Sequence, residues 1–532
     1  MQTPLESFIN HKADTTMQCG NYSIEIPPLK EGEQYRFHFD ATACVGCHCC
    51  EVACNEQNNN SADVKWRRVG EMEGGVFPNV SQLFNSMSCN HCIDPACLNG
   101  CPTESYIKLD NGIVFHEDDI CIGCGYCTWN CPYEVPVMNH DRGIVTKCHM
   151  CVDKLEALET PACVQACPAG AIEIEVVNKE EWIKNGMAKE GVAPHLPDIG
   201  ITKPTTRYTL PDNMPLYRPA DEHINQPSHS ELPLVFMTVL TQMSMGGMVA
   251  LFGGALLSLF GFSHLASGNF ILATAIILPA LLGLPLSALH LGRPLLAHTA
   301  MKNWRKSWLS REALALGVFA GFGVGVVATY LLDMGILNAL SLVGALVSGV
   351  YGIYAQSMIY RIKARPSWDR VSTTKRFLAT GYLGLILVSL VLSIEGEVSS
   401  SMVVLSLTLL VASYQVLVIF EEKMYYRYIR EDEPNYYQLN KTKYLLEHNL
   451  STYLRARYYS LIGFGVVLPM LGILFLANEN SIVASMLLGL SLIGATLSEL
   501  LGRYIFFVSV VPLGLAGNFF AGNQRGRDYK GH

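Results

Sequence analysis

Hydrophobic and polar positions divide this chain into three zones. From about residue 232 onward, long apolar runs with few charges follow one another. Eight are long enough to cross a membrane, near 232–262, 268–289, 312–332, 336–360, 377–394, 401–420, 458–477 and 482–502. A hydrocarbon core about 30 Å thick takes about 20 helical residues to cross. The runs are apolar on every face, whereas a helix of a soluble bundle needs a polar one. The stretch from Ile505 to Phe520 is also apolar, but Pro512 and its glycines suit an interfacial or re-entrant tail. Residues 1–176 show no such runs; short strand-like stretches, Gly112–Phe115 and Ala171–Val177, lie among loops. Residues 177–230 are rich in proline and polar residues and read as an extended linker, either a tether or a docking strap. The expected organisation is an α+β domain over 1–176, a linker over 177–230, and an all-α transmembrane bundle over 231–522.

Charge sharpens this picture. The 532 residues carry a net charge of −8 with no basic tract, which argues against nucleic acid as a partner. The first 40 residues are polar and show no basic-then-apolar stretch of a secretory signal. Lys and Arg crowd three of the loops between apolar runs. Five lie in 290–311, six in 361–376 and seven in 421–457; Arg525, Arg527 and Lys530 add three in the C-terminal tail. The four loops on the opposite face have none. Positive loops mark the cytoplasmic side, so both termini and the N-terminal domain are expected in the cytoplasm, against the inner (cytoplasmic) membrane.

All 18 cysteines lie between Cys19 and Cys167, and with no export signal that density points to metal ligation rather than disulfides. Sixteen fall into four groups: Cys44, Cys47, Cys50, Cys54; Cys89, Cys92, Cys97, Cys101; Cys121, Cys124, Cys127, Cys131; and Cys148, Cys151, Cys163, Cys167. The first and third have the bacterial ferredoxin spacing, except that Asn55 follows Cys54 where proline is usual. Zinc ribbons also use paired cysteines, but a third and fourth cysteine recur in every group here. Four [4Fe–4S] clusters are expected, in a domain with little apolar core that the clusters hold together. In two-cluster ferredoxins the fourth cysteine serves the other cluster. By that symmetry Cys131 completes the second cluster, Cys101 the third, Cys167 the first and Cys54 the fourth. Cys19 and Cys49 fit no group and read as spare thiols.

The four groups, in this order and spacing, resemble the iron–sulfur electron-transfer subunit of dimethyl-sulfoxide-reductase-type molybdoenzymes over about residues 35–176. That resemblance implies a four-cluster ferredoxin-like α+β domain between a molybdopterin-containing catalytic subunit and a membrane anchor. Further on, His290-Leu-Gly-Arg293-Pro, Ser307-Trp-Leu-Ser-Arg-Glu312 and Glu499-Leu-Leu-Gly-Arg503-Tyr look like a DmsC-type anchor, an eight-helix quinol-reactive subunit. The two subunits are separate chains in most relatives and appear here as one.

Quinone chemistry needs groups that exchange protons or hydrogen-bond beside the carbonyl oxygens, and histidine titrates near neutral pH. His290, Arg293, Glu312, Glu499 and Arg503 fall at the cytoplasmic ends of their segments and are the candidates to bind menaquinone or ubiquinone. Each has a plainer reading: His290 as a helix-end cap, Arg293 as part of the positive loops, Glu312 as a first-turn carboxylate, and Glu499 with Arg503 as a pair four residues apart. No segment carries Asp, Glu, Lys or Arg near its middle, which weighs against a redox-driven proton pump. A polyferredoxin sensor needs no eight spans. No pterin-binding domain or phosphate-cradling loop is recognisable, so substrate chemistry is expected on another polypeptide. A cytoplasmic cluster domain resembles quinone-reducing sulfite dehydrogenases; the alternative is a quinol-oxidising terminal reductase acting on DMSO or a related oxide.

Overall fold

In the strand Glu33–Asp40 the side chains of Phe37 and Phe39 are buried on one face while His38 and Asp40 between and after them stay more open, and Gln34 is buried on the other face. This strand organises the N-terminal half of the computed structural model, which describes residues 16–19, 22–25, 29–212, 215–222, 225–260 and 268–515. The strands are β1 (Thr16–Cys19), β2 (Tyr22–Glu25), β3 (Glu33–Asp40), β4 (Arg68–Val76), β5 (Asn79–Met87), β6 (Tyr106–Lys108), β7 (Val114–His116), β8 (Val137–Asn139), β9 (Ile144–Thr146), β10 (Ile172–Asn178), β11 (Arg207–Thr209) and β12 (Tyr217–Pro219). They make two three-stranded sheets, β10-β3-β11 and β12-β4-β5, and three hairpins, β1-β2, β6-β7 and β8-β9. Between them run short helices such as Cys49–Gln57, Ala96–Gly100 and Tyr126–Asn130. This is the α+β ferredoxin-like arrangement.

The core of this unit is larger than the sequence suggests. Phe37, Phe39, Val64, Trp66, Met72, Leu83, Ile113 and Ile172 are buried in one cluster with Cys50, Cys54, Cys89, Cys92, Cys148 and Cys163. Thiols are therefore part of the packing rather than a substitute for it.

The stretch read as a linker, 177–230, is largely structured. Asn178 caps a helical turn by accepting from the N–H groups of Glu180 and Glu181. Arg207–Thr209 then pairs parallel to β3, and Tyr217–Pro219 pairs antiparallel to β4. All of it up to Asn225 falls in the first compact unit. Three-residue strands that pair with partners far back in the sequence leave almost no periodic signal, so the proline content dominated the reading. The expected C-terminal tail also divides. Ile505–Val508 complete the last helix, Pro512–Leu515 count with the first unit, where Leu515 joins the core, and residues from 516 lie outside the described ones, as do Arg525, Arg527 and Lys530.

The second unit, Gln226–Val511, is all-helical. Among the described residues eight helices are long and apolar enough to cross a membrane: α1 (Leu232–Leu259), α2 (Phe270–His290), α3 (Trp308–Leu331), α4 (Gly335–Tyr360), α5 (Val371–Ile394), α6 (Val398–Arg427), α7 (Ser451–Ala477) and α8 (Ser481–Val508). In α1 and α5, 78% and 72% of the apolar window is buried, against 28–33% in the other six, so these two form the centre of the bundle. Their backbones come close where side chains vanish. A Cβ on Gly246 would lie 1.8 Å from the Gly381 carbonyl oxygen, and one on Gly384 2.1 Å from that of Met243. Small residues permit this approach between membrane helices. Exposed Leu410, Leu490, Ile493 and Leu497 give the bundle the apolar exterior that lipid accepts.

Several helices extend beyond the apolar runs, at Val371, Arg427, Ser451 and Val508. The extensions place Arg376, Glu421, Glu422, Arg457 and Arg503 inside helices. Charge is thus absent from the mid-span positions but dense within the bundle towards one end.

Candidate functional site

The four CxxC turns are built alike. In each, the residue before the second cysteine has a left-handed backbone: Gly46 (φ 67°), His91 (φ 40°), Gly123 (φ 66°) and Met150 (φ 60°). That conformation costs a non-glycine residue about 1 kcal/mol. It turns the residue's N–H back onto the first sulfur: His91 N–H to Cys89 Sγ, Gly123 N–H to Cys121 Sγ and Met150 N–H to Cys148 Sγ, each 3.4 Å. Ser105 N–H reaches Cys101 Sγ at 3.3 Å and Ala171 N–H reaches Cys167 Sγ at 3.2 Å. Donors aimed at sulfur favour thiolate over thiol.

The electrostatic neighbours of the sulfurs sort them into four sets. Cys44 is influenced by Cys50, Cys167 and Cys47, and Cys54 by Cys148, Cys163 and Cys151. Cys97 is surrounded by Cys131, Cys89 and Cys92, and Cys127 by Cys124, Cys121 and Cys101. In every quartet three thiols come from one motif and the fourth from another. Cys50 acts on Cys163 and Cys148 on Cys89, while the short helices carrying Cys97 and Cys127 pack together. These links join the first set to the fourth, the fourth to the second and the second to the third.

Burial raises most of these thiols, Cys131 to about 11 and both Cys124 and Cys151 to about 12. Cys121 departs from this. Burial pushes it up, but His116 and the N–H groups of Val145 and Gly123 outweigh burial and bring it below its ordinary value. Every cysteine with a described side chain is a free thiol. Sixteen converging sulfurs with N–H donors and no disulfide suit iron–sulfur clusters. Cys49 is exposed and stands beside Cys47; the side chain of Cys19 lies outside the described residues.

The helical unit holds the other candidates. Glu312 of α3 is buried with its carboxyl beside the Gln356 amide of α4. Gln242 of α1 donates to Gln356 Oε1 at 2.7 Å, and Arg503 of α8 donates to Gln242 Oε1 at 2.8 Å. Four helices are thus joined by one line of buried polar groups, in which Glu312 Oε1 and Arg503 Nε and Nη1 have no hydrogen-bond partner among the described residues. Glu499 sits in an adjoining cluster. Its ion-pair partner is Arg457 of α7, at 3.8 Å, rather than Arg503. It also accepts from Gln415 Nε2 at 3.1 and 3.2 Å and from Thr380 and Tyr382 at 3.4 Å. Arg376 pairs with Glu422. His290 ends α2, its Nδ1 hydrogen-bonded to the Ser287 carbonyl, with Glu231 at the foot of α1 nearby. Arg293 follows, half-buried, just before the short helical stretch Pro294–Met301. Sequence reasoning missed Gln242, Gln356, Gln415 and Arg457; a glutamine inside an otherwise apolar run was the signal available for the first three.

Comparison with known proteins matches both halves of the chain. A family described as "4Fe-4S dicluster domain" matches residues 80–177, and one described as "DMSO reductase anchor subunit (DmsC)" matches residues 226–508. A component of the anaerobic dimethyl sulfoxide reductase of Haemophilus influenzae is 38% identical over 181 residues, covering 32% of this chain and 87% of that protein. Its namesake in Escherichia coli is 37% identical over 179 residues, covering 32% and 86%. A component of the sulfite dehydrogenase of Allochromatium vinosum is 33% identical over 192 residues, covering 32% and 80%.

Proposed function

This polypeptide belongs to the DMSO reductase anchor subunit (DmsC) family and carries, ahead of the anchor, an iron–sulfur half similar to a component of anaerobic dimethyl sulfoxide reductases; we propose that it relays electrons between a molybdopterin catalytic partner and quinone. What supports this reading is that the electrostatic neighbours of the sixteen sulfurs sort into four sets, each with three cysteines of one motif and one of another. The clusters, when bound, pass single electrons. The chain itself would fix their sulfurs through the left-handed CxxC turns and keep water out with the core around Phe37, Trp66 and Ile113.

Menaquinone or ubiquinone is the exchangeable substrate of the helical unit in this proposal. Its reduction takes two electrons and two protons, so the site needs both a path for charge and groups that hold protons. His290, Arg293, Glu312, Glu499 and Arg503 are assigned to it. The unsatisfied Glu312 Oε1 and Arg503 Nη1 support the assignment, because buried polar atoms without partners are rare unless a ligand or water meets them. Glu312 and His290 would exchange protons, and Arg503 would donate a hydrogen bond to a carbonyl oxygen.

The Lys/Arg asymmetry of the loops supports a cluster domain on the cytoplasmic side of the inner membrane, and with it a sulfite dehydrogenase that reduces quinone. A second reading, a reductase that oxidises quinol, is supported by relatives named for dimethyl sulfoxide. The chain co-purified with its partner in mild detergent decides between them. Sulfite should drive reduction of a soluble quinone analogue if the first holds, and reduced analogue should drive loss of dimethyl sulfoxide if the second does. Protease added to sealed, right-side-out spheroplasts should leave the cluster domain intact; cleavage from outside contradicts the sidedness. His290→Ala membranes that still exchange electrons with quinone at the wild-type rate would remove His290 from the site.

A further inference from the structure

Two buried cations of the cluster domain stand against sulfur and form no salt bridge to a carboxylate among the described residues. Lys147 is 3% exposed. Its Nζ donates to the carbonyls of Val114 and, at 2.7 Å, Cys148, and it lies 3.8 Å from Cys89 Sγ. Arg67 is 2% exposed. It stacks over the Phe37 ring at 4.7 Å and donates to Ser86 O (3.2 Å), Ser86 Oγ (3.1 Å) and Ser88 Oγ (2.8 Å). Ser86 Oγ in turn stands 3.3 Å from Cys50 Sγ. Neither cation forms a salt bridge with a carboxylate among the described residues. An isolated buried ammonium or guanidinium is costly, so its counter-charge must be sulfur. The thiolates acting on Arg67 are those of Cys163, Cys50, Cys148 and Cys54; Lys147 acts on Cys89 and Cys97.

We propose that Lys147 and Arg67 set the reduction potentials of the clusters they face: Lys147, between the Cys89 and Cys148 quartets, and Arg67, between the Cys148 and Cys44 quartets. This rests on the cluster assignment made above. Reduction places one more negative charge on a group already held by four thiolates. A fixed cation a few ångströms away stabilises that reduced form more than the oxidised one and raises the potential. Serine hydroxyls and carbonyls hold both cations in place, so each acts as a permanent charge on two neighbouring quartets. Neither residue touches substrate; both are positioning residues of the relay. Arg67 faces three sulfurs of the Cys148 quartet, and Lys147 donates to the Cys148 carbonyl. The Cys121 quartet has His116 as its neighbour and serves as an internal reference.

The test is a potentiometric titration followed by electron paramagnetic resonance on membranes holding the full chain with its partner. The variants are Lys147→Gln, Arg67→Gln, Lys147→Arg and Arg67→Lys. At a poise that half-reduces the wild-type second cluster, Lys147→Gln should lower its reduced-to-oxidised ratio about tenfold, or about 59 mV for a one-electron couple. The fourth cluster should fall too and the third stay. Arg67→Gln should lower the first and fourth, and the charge-retaining variants should follow wild type. Loaded clusters with unmoved potentials, or a uniform shift in all four, overturn the proposal. So does loss of loading in both Gln variants with retention in Lys147→Arg and Arg67→Lys, which would make the cations assembly residues. Wild-type protein without four clusters would instead contradict the assignment on which the proposal rests.

Discussion

Arg503 donates to Gln242 across 2.8 Å, joining the last membrane helix to the first inside the bundle. Gln242 passes the link on to Gln356 at 2.7 Å, so removing the amide breaks the line at its centre. Gln242→Leu leaves a guanidinium N–H buried and unsatisfied, at a cost of about 1–3 kcal/mol. The expected outcome is a lower unfolding temperature in detergent and a larger loss of quinone-dependent cluster reduction than of artificial-dye reduction. Equal losses with both acceptors would assign Gln242 to packing alone.

Glu499 and Arg457 form an ion pair inside the bundle with both partners buried, at 3.8 Å. Glu499→Gln leaves Arg457 uncompensated, which typically costs about 3–5 kcal/mol, while the amide can still meet Gln415 and Tyr382. Thermal unfolding of the purified chain should show a marked drop. Restoration by the double change Glu499→Gln with Arg457→Gln would identify the pair as the cause.

The bundle's centre is expected to tolerate no side chain at two glycines. Gly246→Val or Gly384→Val drives a Cβ to within 1.8 or 2.1 Å of a carbonyl oxygen on the facing helix. Overpacking of this kind costs about 1–3 kcal/mol. Folded yield from membranes should fall, whereas Gly253→Ala, which meets nothing within 4 Å, should express as wild type.

Acid should weaken the β10-β3-β11 sheet through Glu175. Burial pushes this carboxyl up, but Arg207, Arg36 and His38 outweigh burial and hold it below its ordinary value; Glu173 lies on the same face and Glu190 beside Arg207. A depressed folded pKa contributes stability above the unfolded value, near 4.3, and loses it as pH falls through the folded value. The gap in unfolding temperature between wild type and Glu175→Gln should therefore be full at pH 7 and narrow below about pH 4.3. A gap unchanged across that range would contradict the ion-pair account.

Legibility tracked the range of the interactions. Each CxxC turn is a local device, so spacing alone grouped sixteen cysteines as candidate ligands, and long apolar runs exposed the eight helices. Arg67 and Lys147 were invisible because no motif marks a cation whose partners are sulfurs up to about a hundred residues away. Arg376 and Arg457 were read as loop charges, since hydropathy ends a span where charge begins while the backbone helix continues for another turn. Arg207–Thr209 and Tyr217–Pro219 looked like linker because β3 and β4, which make them strands, lie far back in the sequence.

The central claim is that each quartet borrows its fourth thiol from another motif, and Cys131→Ser tests it most directly. Iron analysis and electron paramagnetic resonance of the reduced variant should show the second cluster lost or converted and the third intact. Loss of the third cluster with the second retained would contradict the account.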